Sequence, residues 1–270
     1  MTTGSITVSR HEVQLSHGTT RYYEAGAGEP VIFLHGSGIE QGADDFLPSF
    51  PALADDFRVI SPDLLGWPPG DTFGDIASFP YLVDFLREFQ DALGLRSSHL
   101  VGVSMGAWIA AIFAYESPQR VEKLVITGNP GLRGSPNRRM LAWQLPDEAT
   151  VEAWVSKVAR VGGVDAAKVT REKVAKMQTE GYADAFSKLM THMGTDDNRQ
   201  RYAMQRRLPY VESETLYLWG KTDPAIEQAE VWHELTPNST LQVVEAGHRL
   251  HVDEPELFSR SVRDFLLGKA

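Results

Sequence analysis

Gly102-Val103-Ser104-Met105-Gly106 constrains this chain more tightly than any other stretch. An apolar run, His99 to Val103, leads into it, and a small-residue, helix-compatible run, Ala107 to Ala114, leads out. A strand that becomes a helix within five residues must turn sharply at its centre, which forces Ser104 into a strained backbone conformation. The flanking glycines let neighbouring backbone cross without Cβ clashes. Such a turn lifts the Ser104 Oγ clear of the sheet and sets it over a helix N-terminus, whose free N–H groups favour developing negative charge. Taken alone, the pentapeptide also fits a bland Gly-rich turn. The strand before it and the helix after it point to a nucleophile.

A serine hydroxyl is a poor nucleophile without a base, and the base needs an acceptor to hold one tautomer. His248, in Glu245-Ala246-Gly247-His248, and Asp223, in Trp219-Gly220-Lys221-Thr222-Asp223, both stand just past predicted strands. Loops at the carboxyl ends of strands are where open α/β sheets gather catalytic groups. Each residue has another reading: His248 as a loop histidine with a structural hydrogen bond, and Asp223, before Pro224, as a helix cap. Asn129 and Glu245 are rival acids. Asn129 carries no charge to stabilise an imidazolium, and Glu245 lies too near His248 in sequence to reach its ring comfortably. His35 and His251 are rival bases, read as structural.

Acyl transfer also needs donors for an oxyanion, each contributing about 3–4 kcal/mol. The Met105 N–H, first after the nucleophile, is one. The loop His35-Gly36-Ser37-Gly38, after the apolar run Val31 to Leu34, supplies the second from Ser37 N–H, with Gly38 as a substitute; a tight strand-to-helix turn is the alternative reading.

Strand-like and helical runs alternate along the chain. Thr7 to Leu15, a Ser16-His17-Gly18 turn and Thr19 to Glu24 read as a hairpin. Val31 to Leu34, Phe57 to Ile60, His99 to Val103, Val121 to Thr127, Thr215 to Trp219 and Leu241 to Glu245 read as buried strands. Phe79 to Leu93, ended by Gly94, and Pro255 to Leu267 read as amphipathic helices. The expected fold class is α/β, with a mostly parallel central sheet and helices on both faces. Between Gly131 and Pro209 the strand rhythm gives way to helical segments. The expected organisation is therefore a core of residues 1–130 and 210–270 with a helical cap at 131–209.

Composition closes several alternatives. A formal net charge of -10 argues against a nucleic-acid partner, and Arg138-Arg139 and Arg206-Arg207 read as solvated helix faces. The absence of cysteine excludes disulfides, thiolate catalysis and Cys-based metal sites. The polar N-terminus has no apolar signal-peptide core, and no run approaches the ~20 apolar residues of a membrane span. The expectation is a cytoplasmic protein with a small-molecule substrate, no membrane partner, and no metal or organic cofactor. The sequence leaves the oligomeric state open.

With these residues in hand, the chain resembles the α/β-hydrolase superfamily from about Val8 to Leu267. The motifs are His35-Gly36-Ser37-Gly38, Ser61-Pro62-Asp63-Leu64-Leu65-Gly66, Gly102 to Gly106, Trp219 to Asp223 and Gly247-His248. The order Ser, Asp, His is that of the superfamily's triad. The resemblance implies that Asp63 and Gly66 mark a structural loop, and that residues 131–209 are the variable cap. Serine at the elbow sets the chain apart from epoxide hydrolases and haloalkane dehalogenases, which place Asp there. The chain is also similar to the meta-cleavage-product hydrolases, which cut carbon–carbon bonds. It departs from them at Val103 (usually Asn), at Arg249 (usually Trp), and at Ile39-Glu40 (usually Gly-Pro).

The function expected is hydrolysis of a carboxylic ester or lactone of a small, largely apolar substrate through Ser104, His248 and Asp223. Carbon–carbon bond hydrolysis is the alternative. A lyase, a cofactor-independent oxygenase or a ligand receptor on the same scaffold also remain. Trp67, Trp143, Phe186 and Met190 are the candidates for substrate contact, although for each of Trp143, Trp154, Phe186, Met190 and Met193 packing within the cap is the favoured reading. Arg249, beside the base, could meet a carboxylate, and a solvent-facing role is the expected one.

Overall fold

The apolar run at Val31 becomes the middle of an eight-stranded sheet, because a strand covered on both faces needs no polar side. The computed structural model describes residues 6–16, 18–71, 78–128, 131, 136–159 and 164–269. His17, in the expected turn, and Asn129, the rival acid, lie outside them. The strands are β1 (Ser9–Leu15), β2 (Gly18–Ala25), β3 (Glu29–Leu34), β4 (Phe57–Pro62), β5 (Ser98–Val103), β6 (Val121–Thr127), β7 (Glu214–Gly220) and β8 (Ser239–Val244). Their order in the sheet is β1-β2-β4-β3-β5-β6-β7-β8. β1 and β2 form the antiparallel hairpin, and β2 runs antiparallel to β4; all other pairs are parallel.

Register decides where the chemistry can gather. Leu34 pairs with Gly102, Val103 with Thr127, Thr127 with Leu218, and Gly220 with Val244. The carboxyl ends of β3, β5, β6, β7 and β8 therefore finish at one edge, and the residues that follow them share one neighbourhood.

Helices cover both faces. α1 (Phe50–Leu53) follows a 3-10 helix at Ala43–Ser49. α2 (Phe79–Ala92) starts at Ser78, whose hydroxyl accepts from Tyr81 N–H, and ends before Gly94, whose φ of 67° suits a helix stop. α3 (Met105–Glu116) is buried from Met105 to Ala114, as its lack of a polar face requires. Between β6 and β7 lie α4 (Arg138–Leu141), α5 (Glu148–Val158), α6 (Ala166–Met177), α7 (Tyr182–Gly194) and α8 (Asp196–Arg201). α9 (Ala229–Leu235), α10 (Leu250–Asp253) and α11 (Pro255–Leu266) follow, and α11 buries Phe258, Val262, Phe265 and Leu266. Among the described residues, no helix is long and apolar enough to cross a membrane.

A buried charge network ties α6 to the sheet layer. Lys173 Nζ donates to the carbonyls of Glu40 and Gln41 at 2.8 and 2.9 Å and pairs with Asp44. Arg21 bridges Asp44 and Asp63, and Asp63 also accepts Ala43 N–H. Burial opposes ionisation of Asp44, yet Lys173 and Arg21 together hold its carboxyl below the ordinary range. Burial pushes the Asp63 carboxyl up, with Arg21 offsetting only part of that. Tyr182 on α7 adds a hydrogen bond to the Gly66 carbonyl at 2.7 Å. Asp63 and Gly66 thus do structural work, as the resemblance implies.

Candidate active site

Ser104 has φ 54° and ψ -111°, and it is the one non-glycine residue with positive φ among those described. A left-handed backbone costs an L-residue about 1–2 kcal/mol, and such strain persists where the surroundings fix it. Here the Ser104 N–H donates to the Thr127 carbonyl at 2.8 Å, and its carbonyl accepts Trp108 N–H to start α3. A Cβ at Gly106 would overlap the carbonyl oxygens of Leu34 and His35, and one at Gly102 would lie 2.5 Å from Ala107 backbone. Only glycine at both positions lets α3 run this close to β3 and β5.

His248 and Asp223, 25 positions apart, are brought together by the parallel pairing of β7 with β8. The His248 Nδ1–H donates to Asp223 Oδ2 at 2.7 Å, which leaves the lone pair on Nε2. Asp223 Oδ1 meanwhile accepts Ala225 N–H at 2.8 Å. Turn-capping and ring-holding are therefore simultaneous, one on each oxygen. Asp223 is buried, whereas the His248 side chain is 40% exposed. Ser104, Asp223 and His248 all line one cavity of about 610 Å³.

The rival groups are placed elsewhere. His35 is buried, with Nδ1–H donating to the Gly36 carbonyl and Nε2 accepting Leu64 N–H, both at 2.9 Å. Burial lowers its pKa to about 4, so the ring is neutral and structural. Glu245 pairs with Lys221 at the surface. His251 is fully buried, tilted against the Phe46 ring and edge-on to Phe258. Arg249 is half-exposed and lies over the Trp154 ring at 5.3 Å.

Of the loop amides expected to face an oxyanion, Gly38 N–H already donates to Gln41 Oε1 at 3.0 Å, and the Gly38 carbonyl accepts Trp67 Nε1–H at 2.8 Å. Gly38 is thereby fixed from both sides and its donor is in use. Met105, at the first position of α3, lines the cavity, whereas Ser37, half-buried in the same loop as Gly38, is not among its described lining residues.

The residues expected to touch substrate are not on the cavity wall. Trp67, Phe186 and Met190 are buried to within 2% and belong with half-buried Trp143 to the main core. Phe186 meets Trp67 edge-on at 5.0 Å and Trp143 at 4.9 Å. Large apolar side chains gain most by mutual burial, about 1.5–3 kcal/mol each, and these took that course.

The wall is polar and basic instead. Arg138, Arg139 and Arg199 line the cavity with Asn137, Met140 and Trp108. Arg199 is 8% exposed; its Nη1 donates to the Met193 carbonyl and its guanidinium lies 4.8 Å from the Trp108 ring. Its Nε is buried with no hydrogen-bond partner among the described residues, and burial lowers its pKa. Trp108 is fixed in turn by its Nε1–H on the Tyr202 carbonyl at 2.9 Å and by Phe79 at 4.3 Å. Asp223, already engaged by His248, is the one carboxylate among the described lining residues.

Sequence reasoning also missed Gly128. With φ 75° at the end of β6, it stands where a Cβ would lie 2.9 Å from His248 Cε1 and 3.2 Å from Nδ1. A glycine just past a strand at the carboxyl edge was the available signal.

Residues 29–255 match the family profile described as alpha/beta hydrolase fold. The chain is 32% identical over 263 residues to the 2-hydroxy-6-oxononadienedioate/2-hydroxy-6-oxononatrienedioate hydrolase 2 of Pseudomonas putida, covering 91% of this chain and 90% of that protein. It is 26% identical over 253 residues to the dihydrolipoyllysine-residue acetyltransferase component of the acetoin cleaving system of Cupriavidus necator, covering 92% of this chain and spanning 66% of that protein's length. The solved structure of a meta-cleavage product hydrolase from Pseudomonas fluorescens has a TM-score of 0.76 at 22% identity, covering 96% of this chain and 98% of that one. A profile that runs through all the strand ends just described, and a hydrolase relative aligned over nearly its whole length, settle the family: this chain belongs to the α/β-hydrolase fold family and is a hydrolase.

Proposed function

We propose that the chain is a serine hydrolase working by two-step acyl transfer, with residues 131–209 acting as its cap. The observation that carries this reading is the His248–Asp223 bond at 2.7 Å on the rim of the cavity that the strained Ser104 also lines. His248 Nε2 takes the Ser104 proton as Oγ attacks a substrate carbonyl; Asp223 holds the ring and stabilises its charged form. The oxyanion is met by the N–H groups of Ser37 and Met105. His248 then returns the proton to the leaving group. Water, deprotonated by the same base, releases the acid and restores Ser104.

The bond cleaved is a carboxylic ester or lactone, and the basic wall points to a substrate that carries a carboxylate. A second reading, hydrolysis of a carbon–carbon bond beside a ketone, is favoured by the Pseudomonas putida relative, whose name is that of a dioate hydrolase. In that case the leaving group is a carbanion equivalent that must be protonated on carbon.

The test is hydrolysis of p-nitrophenyl acetate and of the p-nitrophenyl monoester of succinate by wild type and Ser104→Ala, beside a 2-hydroxy-6-oxo-dienoate. Ester turnover that disappears in the variant supports the lead reading. Turnover of the dienoate alone supports the second. Unchanged turnover in Ser104→Ala refutes the nucleophile.

A further inference from the structure

The segment that follows the catalytic base is gripped from the helices between β6 and β7. Trp154 on α5 packs with Val158 of the same helix and Val252 of α10 in a small apolar cluster. The Arg249 guanidinium, one residue past His248, covers the Trp154 ring at 5.3 Å. Lys157 on α5 reaches Asp253 at 2.5 Å. Trp154, Lys157 and Val158, within the last two turns of α5, thus hold the segment 249–253.

The same indole reaches in the other direction. Trp154 Nε1–H donates to Asp45 Oδ1 at 2.8 Å, inside the 3-10 helix Ala43–Ser49 that continues the Ser37 loop. Asp45 Oδ2 faces His251 Nε2 at 3.8 Å, and both residues are fully buried. Oδ2 and both His251 ring nitrogens lack a hydrogen-bond partner among the described residues. Buried polar groups left open in a native fold call for a reason, since each costs about 1–3 kcal/mol. One carboxylate therefore stands between two partners: an indole on α5 that it holds, and an imidazole three residues past the base that it does not quite reach.

We propose that Trp154, Asp45 and His251 are positioning residues that make the aim of His248 depend on α5 being docked. With Trp154 seated, Asp45 is held on its indole side and segment 249–253 is pressed against α5. When α5 lifts, Asp45 loses Trp154 and closes on His251, drawing α10 and the His248 loop away from the line to Ser104. Cap position then sets the orientation of the base, so that a substrate which seats the cap also completes the catalytic group. This rests on the reading of Ser104 and His248 above.

Trp154→Phe keeps an aromatic face for Arg249 and loses the N–H together with the pyrrole ring; Asp45→Leu keeps about the size of its partner and removes the acceptor. Tyr217→Phe, which loses a buried hydrogen bond to Thr236 at 2.6 Å, serves as a control for stability alone. Two readouts are taken on each purified protein: the 15N shifts of the His248 ring, which report its tautomer, and the rate at which a fluorophosphonate phosphonylates Ser104. Wild type and Tyr217→Phe are expected to hold one tautomer. Trp154→Phe and Asp45→Leu are expected to mix tautomers and to react about tenfold more slowly, in line with the cost of sub-ångström misplacement. The double variant should be no slower than either single, because both cut one bond. A Trp154→Phe protein that melts earlier but keeps the wild-type tautomer and rate overturns the proposal. If Ser104 resists phosphonylation in the wild type, the acyl-transfer reading fails, and the tautomer comparison still decides the positioning role.

Discussion

Replacing Gly128 by alanine should damage the base far more than the fold. Two effects add at that position. The first is backbone: φ is 75°, where an L-residue costs about 1–2 kcal/mol. The second is contact: the new Cβ would sit 2.9 Å from His248 Cε1, whereas ordinary contact begins at 3.4 Å, so the ring must retreat by about 0.5 Å. The Nδ1–Asp223 bond of 2.7 Å cannot absorb such a shift without lengthening or turning. Misplacement by about 1 Å costs roughly 100-fold in rate, so half that shift implies a loss of roughly tenfold. Gly181 separates the two effects, since it has φ 77° and a Cβ there meets nothing within 4 Å. Gly181→Ala should therefore lose comparable stability in urea unfolding and keep its phosphonylation rate at Ser104. Gly128→Ala should lose both. Equal rates in the two variants would refute the claim that Gly128 is reserved for the imidazole.

Three further outcomes follow from the geometry. His35 has its folded pKa depressed from 6.5 to about 4, so the unfolded chain takes up a proton that the buried ring refuses. Its contribution, about 3 kcal/mol, is fully present above pH 6.5 and is lost as pH falls toward 4; urea midpoints of wild type and His35→Gln should converge over that range, and parallel curves would contradict it. Lys173→Met strips one of two cations from fully buried Asp44 and should cost about 3 kcal/mol by urea unfolding; a loss below 1 kcal/mol would show that Arg21 suffices. Arg199→Met should raise KM for the succinate monoester about tenfold or more while leaving p-nitrophenyl acetate unchanged, because only the former offers a carboxylate to the open guanidinium; equal effects on both would assign Arg199 to packing over Trp108.

The strands and the three candidate catalytic residues were legible for the same reason. Ser104, Asp223 and His248 each follow a buried strand at short range, so hydrophobic runs locate them without tertiary knowledge, and parallel register then carries them to one edge. The pairing of His248 with Asp223 needed only that geometry. The cavity wall was not legible, because it is written by helices whose faces are chosen by packing. Abundant Trp, Phe and Met side chains suggested an apolar pocket, but burial against one another is where such groups gain most, and Trp67 and Phe186 went there. Arg138 and Arg139 read as a solvated pair, and they are exposed, yet they line the cavity that Ser104, Asp223 and His248 also line. Arg199 carried no sequence signal at all within Asp196–Arg201, where charge is dense on every side. Its burial over Trp108 is a tertiary fact. Composition counts apolar side chains but not where they pack, so the basic lining that Arg138, Arg139 and Arg199 give the cavity belongs to the tertiary structure alone.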